Sequence, residues 1–399
     1  MGSNPTPSAI PASQQHRLGR YALGVTALII GLGDVGAWAL EFLARKPGVD
    51  AIAVADIRSD WGRYRTNLAA IGASMNGQEK SFAFYQVDLS NVSQTADVLS
   101  EVRADVVINI SSLLSPRSVT ERLARVPGEA GERARAALGI GAQLPWHLAP
   151  AYNVMKARER AELDVPVVNV SFADGVNPML WGAGLGAVCG AGNCEHLAYE
   201  IRRVVAVDHR RPTGNVQVFL VSGGSAMLHA GPTKMPFFLN LTVDGIDVTS
   251  KYDPKALIED AIRSRFFQGK GQAPIFSTPA ASAVKNALAV ANDTRELMPV
   301  NSPSGLPGDY PVRLGANGAE LALPSELSRE EAEGIGRAAL PVFGISEIQD
   351  DGTAVYTDET QGRLKDLLGY NCPGIHPSES WSRARELLQA YRRFLERST

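Results

Sequence analysis

The sequence predicts an α/β fold, in which an N-terminal doubly wound parallel sheet is followed by a second, α+β domain built on a largely antiparallel sheet. Three observations predict it. An apolar run, Thr26-Ala-Leu-Ile-Ile, breaks at a glycine-rich turn and resumes with helical spacing. Strand-like and helix-like stretches then alternate as far as Phe172, as they do where parallel strands are joined by crossover helices. Beyond that point the turns become the two-residue Asp-Gly and Asn-Gly kind that joins antiparallel neighbours.

The first strand ends in Gly31-Leu-Gly33-Asp34-Val35-Gly36. Gly31 permits a tight turn, Gly33 lets the backbone approach a pyrophosphate, and Gly36 lets the next helix pack close to the sheet, so the segment reads as the opening of a dinucleotide-binding Rossmann domain. A phosphate there would meet the unpaired N–H groups and positive dipole end of the helix. The second strand, Ala51-Ile-Ala-Val-Ala, ends in Asp56, about 20 residues past Gly36, where a carboxylate reaches the adenosine ribose hydroxyls. A third strand, Phe82 to Val87, ends in Asp88. A fourth, from Asp105, carries Asn109 and runs into Ser111 and Ser112. Ligands in open α/β sheets bind at these carboxyl ends. Helices are expected at 94–103, 119–125, 131–138 and 151–163, with a strand at 165–170. The domain should span residues 21–172, after a flexible tail over 1–20.

In the second domain, placed at 173–352, Asp244-Gly245, Asn317-Gly318 and Asp351-Gly352 each separate two strand-like runs and predict three hairpins. With the strand from Gly214, these suggest an antiparallel sheet. Helices at 253–267 and 329–340 should cover it, the second opened by a Ser328-x-x-Glu331 capping box. Residues 353–399 are expected to form C-terminal helices that pack back on the first domain. There Trp381, Ala384, Leu388, Tyr391 and Leu395 recur at helical spacing.

Composition narrows the function classes. With 399 residues, 45% hydrophobic and a net charge of −3, the chain is large enough for two domains and too evenly charged for nucleic acid or an anionic membrane as its main partner. The apolar stretch Tyr21 to Ala44 holds Asp34, Glu41 and three glycines, which argues against a membrane span. The N-terminal tail lacks the regions of a secretory signal. Cys189, Cys194 and Cys372 are too few for a disulfide framework, and a reducing cytoplasm is expected. A small-molecule substrate and a homo-oligomer are the expected partners, and no metal cluster is evident.

Over residues 25 to 115 the chain resembles the saccharopine dehydrogenase and saccharopine reductase-like group, through Gly31-Leu-Gly33-Asp34-Val35-Gly36 and the acidic end of the second strand. The resemblance implies a nicotinamide cofactor and hydride transfer at a carbon bearing oxygen or nitrogen, often in an amino-acid-like substrate. The Asp56-Ile57-Arg58 turn departs from the basic or small residue that NADP users of the group carry. Asp56 repels a 2′-phosphate and favours NAD, while Arg58 leaves NADP open.

Several residues are candidates for the chemistry. Tyr152 and Lys156 lie four apart, on one helical face, where the ammonium would make the phenol a better proton donor. Asp174 and Asn177 follow the last parallel strand, either as an acid and a substrate contact or as organisers of a turn before Pro178. His229, beside Ser222-Gly-Gly-Ser225, has the imidazole suited to acid–base work. Arg313, a planar fork of donors, suits a substrate carboxylate. Cys194, at an expected helix N-terminus, supports an alternative in which a thiolate attacks an aldehyde as in semialdehyde dehydrogenases. A redox-neutral enzyme and a non-catalytic nucleotide sensor are further alternatives.

Overall fold

The structure is a computed structural model and describes residues 24–192, 195–265 and 276–398. The first sheet contains β1 (Val25–Ile30), β2 (Val49–Asp56), β3 (Ser81–Gln86), β4 (Val106–Asn109), β5 (Val167–Asn169) and β6 (Cys189–Gly190). All pair in parallel, in the order β3-β2-β1-β4-β5-β6, the doubly wound arrangement whose order reverses between β1 and β4. The crossovers hold α1 (Asp34–Ala44), α2 (Ser59–Met75), α3 (Val92–Val102), α4 (Pro116–Leu123), α5 (Gly128–Ala137), α6 (Leu144–Arg160) and α7 (Ala173–Gly182), and α8 (Glu195–Asp208) leads from β6 to the second sheet. Because β6 closes this sheet, its last strand lies past the expected boundary at 172.

Alternate side chains of β1 serve opposite faces, as the two-residue period of a strand requires. Ala27 and Ile29 join Leu40 and Leu43 in one core, while Leu28 and Ile30 join Trp146, Val154 and Tyr391 in the other.

The second sheet is antiparallel, in the order β10-β11-β7-β8-β9 with β12 on β11. Its strands are β7 (Val216–Ser222), β8 (Phe237–Val243), β9 (Ile246–Asp247), β10 (Glu296–Asn301), β11 (Asp309–Gly315) and β12 (Gly318–Leu321). With them are α9 (Ser225–Ala230), α10 (Pro254–Arg265), α11 (Ser277–Ala291) and α12 (Arg329–Arg337). The hairpins at Asp244-Gly245 and Asn317-Gly318 form here, and the Ser328–Glu331 capping box opens α12. The third hairpin belongs elsewhere. β13 (Ile345–Ile348), β14 (Ala354–Tyr356) and β15 (Gly374–Ile375) form a separate three-stranded sheet, with α13 (Asp358–Leu368) between its last two strands. The segment after 352 therefore holds strands as well as the helices expected there.

The final helix, α14 (Ser380–Ser398), packs on α6 of the first domain. The Trp146 indole donates to the Ala384 carbonyl at 3.2 Å and its ring lies 5.6 Å from that of Tyr391. A second strap is α11, which crosses to the opposite face of the first sheet and buries Ala280, Ala283 and Ala287 near α1. Small residues let the two helices approach. An ion pair between Lys285 and the buried Glu195 (2.7 Å), with Asn286 donating to Glu195 (2.8 Å) and to the Gly190 carbonyl (2.9 Å), fixes α11 to the end of β6.

Candidate active site

A cavity of about 720 Å³ runs along the carboxyl ends of the parallel strands, walled on its far side by the second domain and α14. The three glycines have separate reasons. A Cβ on Gly31, whose φ is +95°, would lie 2.8 Å from the Ser111 backbone, and one on Gly36 would lie 2.0 Å from the Gly31 carbonyl oxygen. A Cβ on Gly33 would meet no protein atom within 4 Å. Packing explains the first two glycines and leaves the third to a ligand. Gly33 also caps α1 without a side-chain hydrogen bond, so the first amides of the helix face the cavity wall uncapped. This cradle fits a dinucleotide pyrophosphate. Arg117, which also lines the cavity and pairs with Asp34 at 3.3 Å, adds a cation beside it.

At the other end, Asp56 accepts from the Leu32 amide at 2.6 Å and pairs with Arg58 at 3.0 Å. Arg58 and the Trp61 indole both donate to the Leu32 carbonyl, at 2.8 and 2.9 Å, tying the glycine loop to the start of α2. Each Asp56 oxygen accepts two hydrogen bonds, from the Leu32 amide and from the Arg58 amide and guanidinium, so a ribose diol would take the place of the Arg58 side-chain contacts. Asp56, Arg58, Asp88, Ser111, Ser112, Asp34 and Val35 all line the cavity. Asn109 stands behind it, accepting from the Ser111 hydroxyl at 2.6 Å and donating to Asn169 at 2.9 Å. Asn169 in turn donates to Asn177 at 2.8 Å, and Asn177 to the Ser302 carbonyl at 3.3 Å. Asn177 is therefore a fully buried brace between the domains, away from any substrate.

The inner end holds a residue that no sequence motif indicated. His147, on α6, is buried among apolar neighbours, and burial lowers its pKa to about 4. Its Nδ1 lies 2.8 Å from the Ser171 hydroxyl just past β5. Its Nε2 has no partner among the described residues, although the residue lines the cavity. A buried nitrogen without a partner, on a residue that borders a cavity, calls for a partner such as a water or a ligand. Phe172, against which the imidazole packs edge-on at 6.1 Å, is held in the left-handed region at φ 46°. Such strain clusters at functional sites. The only sequence signal for His147 was a lone polar residue in the apolar stretch Leu144-Pro-Trp-His-Leu-Ala-Pro150.

The other candidates fall elsewhere. Tyr152, five residues after His147 on α6 and so about 140° around the helix, points away from the cavity, and Lys156 is half-buried and paired with Glu159, which raises its pKa. His229 is exposed near the end of α9. Arg313 lines a separate cavity of about 370 Å³ beside Arg202 and Lys285. Asp174 lines the main cavity, but its carboxylate accepts from Asn301, from the Ser225 amide and hydroxyl, and from the Gly308 amide. Burial raises its pKa while these donors oppose the rise. The turn expected before Pro178 is instead the helix α7, and Asp174 pins it to the second domain. Cys194 lies outside the described residues.

The family model of the saccharopine dehydrogenase NADP binding domain matches residues 27–124. The chain carries that domain. By it, the chain is an NAD(P)-dependent oxidoreductase. No curated protein matches the sequence. Among solved structures, the lactate dehydrogenase of Cryptosporidium parvum, determined with lactic acid and NAD, superposes with a TM-score of 0.56 at 17% identity, over 80% of this chain and 96% of that one. The malate dehydrogenases of Cryptosporidium parvum (TM-score 0.54, 16% identity, 87% and 100% covered) and Picrophilus torridus (0.55, 17%, 80% and 97%) are similar to the same extent. At these identities the likeness is one of fold.

Proposed function

We propose that this oxidoreductase passes hydride between nicotinamide and a carbon bearing oxygen or nitrogen in a small, carboxylate- or amino-acid-like substrate, with His147 moving the accompanying proton. The observation that carries this reading is the unpartnered Nε2 of a buried, neutral imidazole at the inner end of the dinucleotide cavity. The bound cofactor supplies the hydride acceptor or donor. In the oxidising direction, neutral His147 takes the proton from the substrate hydroxyl or amine at Nε2, and in reduction it returns it. Ser171 holds the ring through Nδ1. The cavity must take both cofactor and substrate within about 720 Å³, which favours a small substrate.

NAD is the preferred cofactor in this reading, because Asp56 faces the ribose position, and NADP is accepted less well through Arg58. Arg58→Ala should weaken NADP binding by tenfold or more and leave NAD within a few-fold, read by calorimetric titration of each. The proton-transfer role is tested with a panel of 2-hydroxy, 2-oxo and 2-amino acids, followed by nicotinamide absorbance. His147→Gln should lower kcat about 10²- to 10⁴-fold at unchanged NAD affinity. Full activity in that variant would sink the assignment.

A further inference from the structure

The α2 helix is apolar on two faces, and the larger residues are on the wrong one for a monomer. Gly62, Thr66, Ala69 and Ala73 turn inward against the sheet, whereas Trp61, Tyr64, Leu68, Ile71 and Met75 stand in solvent, 38–83% exposed. Intervals of three and four repeat without interruption along that outer row, the 3.5-residue period of a coiled-coil seam. Ile57 just before the helix and Trp38 on the adjoining α1 are 57% and 46% exposed. Ile57 and Trp61 also border the dinucleotide cavity, and the other five side chains alone offer several hundred Å², approaching the roughly 800 Å² per partner that a standard interface uses. Isolated monomers rarely leave so large a contiguous apolar patch in water.

We propose that this face binds a second copy of the chain, the two α2 helices packing side by side in parallel about a two-fold axis. A row with this spacing is self-complementary, which suits an isologous contact. Charge sets the direction. Asp60 and Arg65 flank the row on opposite sides, five residues apart, the offset at which one helix of a parallel pair reaches across to its mate. Arg65 makes a long contact to Glu41, at 3.6 Å, and stacks over the Trp61 ring at 5.6 Å, and its Nε has no partner among the described residues. An antiparallel pair would set Asp60 against Ser74 and leave Arg65 without an acid on the other helix.

Sedimentation equilibrium of the full chain at micromolar concentration should give about twice the monomer mass of 42.6 kDa. The double variant Leu68→Glu with Ile71→Glu alters only exposed positions outside the cavity. It should sediment as a monomer with unchanged circular dichroism and unchanged NAD affinity. Asp60→Arg should weaken the dimer at least tenfold, and adding Arg65→Asp should restore it. Met75→Cys should cross-link under mild oxidant, since position 75 meets itself only in the parallel arrangement. A monomeric wild-type chain, or a dimer that survives the double glutamate variant, overturns the proposal. A dimer in which Met75→Cys fails to cross-link overturns the parallel arrangement.

Discussion

His147 shows how one side chain ties burial to chemistry. An imidazole enclosed by apolar groups resists protonation, and its pKa of about 4 keeps it neutral, with Nε2 free of a proton or able to give one up, through the neutral range. The same shift has a cost in acid. The unfolded chain takes up this proton below about pH 6.5, the folded chain only below about pH 4, so stability falls as pH drops through that window. The gap corresponds to about 3 kcal/mol. His147→Gln should remove that part of the acid sensitivity, read as a smaller loss of Tm between pH 6.5 and pH 4. Gly33 is a second test at this scale. Gly33→Leu projects into open space and should abolish cofactor binding while leaving Tm unchanged. Gly36→Ala drives a methyl into the Gly31 carbonyl and should lower Tm by several degrees.

Among elements, α6 serves both domains' needs at once: one side carries His147 to the cavity and another buries Trp146 against α14. Trp146→Ala should cost about 3–5 kcal/mol and release α14 to limited proteolysis before the rest of the chain. The sequence made the parallel strands, their terminal acids, two of the three hairpin placements and the docking of α14 legible, since each rests on a local pattern of period, glycine or turn chemistry. It did not disclose α11, an alanine-rich helix whose weak apolar contrast acquires meaning only from the α1 surface it meets. Nor did it single out His147. A polar residue within an apolar stretch gains significance only from the Ser171 hydroxyl and the cavity, which are brought to it by a strand and a domain distant in sequence. Tyr152 and Lys156 were attractive because spacing of four guarantees a shared face, but spacing alone does not say which way that face turns.

In the whole molecule, α11 and α14 clasp the first sheet from opposite sides, and the chain Asn109–Asn169–Asn177–Ser302 runs hydrogen bonds from one domain into the other. The domains should therefore melt together. Near- and far-ultraviolet circular dichroism should report one coincident thermal transition. NAD at a hundredfold over its Kd should stabilise that single unit by about 2.7 kcal/mol. No helix among the described residues is long and apolar enough to cross a membrane. The cavity wall holds one more consequence: two of the five tryptophans, Trp61 and Trp381, border it at separate points. Indole emission overlaps the absorption of reduced nicotinamide, so energy transfer from these two rings should dim the protein's intrinsic fluorescence when NADH docks. The molecule thus carries its own optical gauge of occupancy, one that requires no knowledge of the substrate.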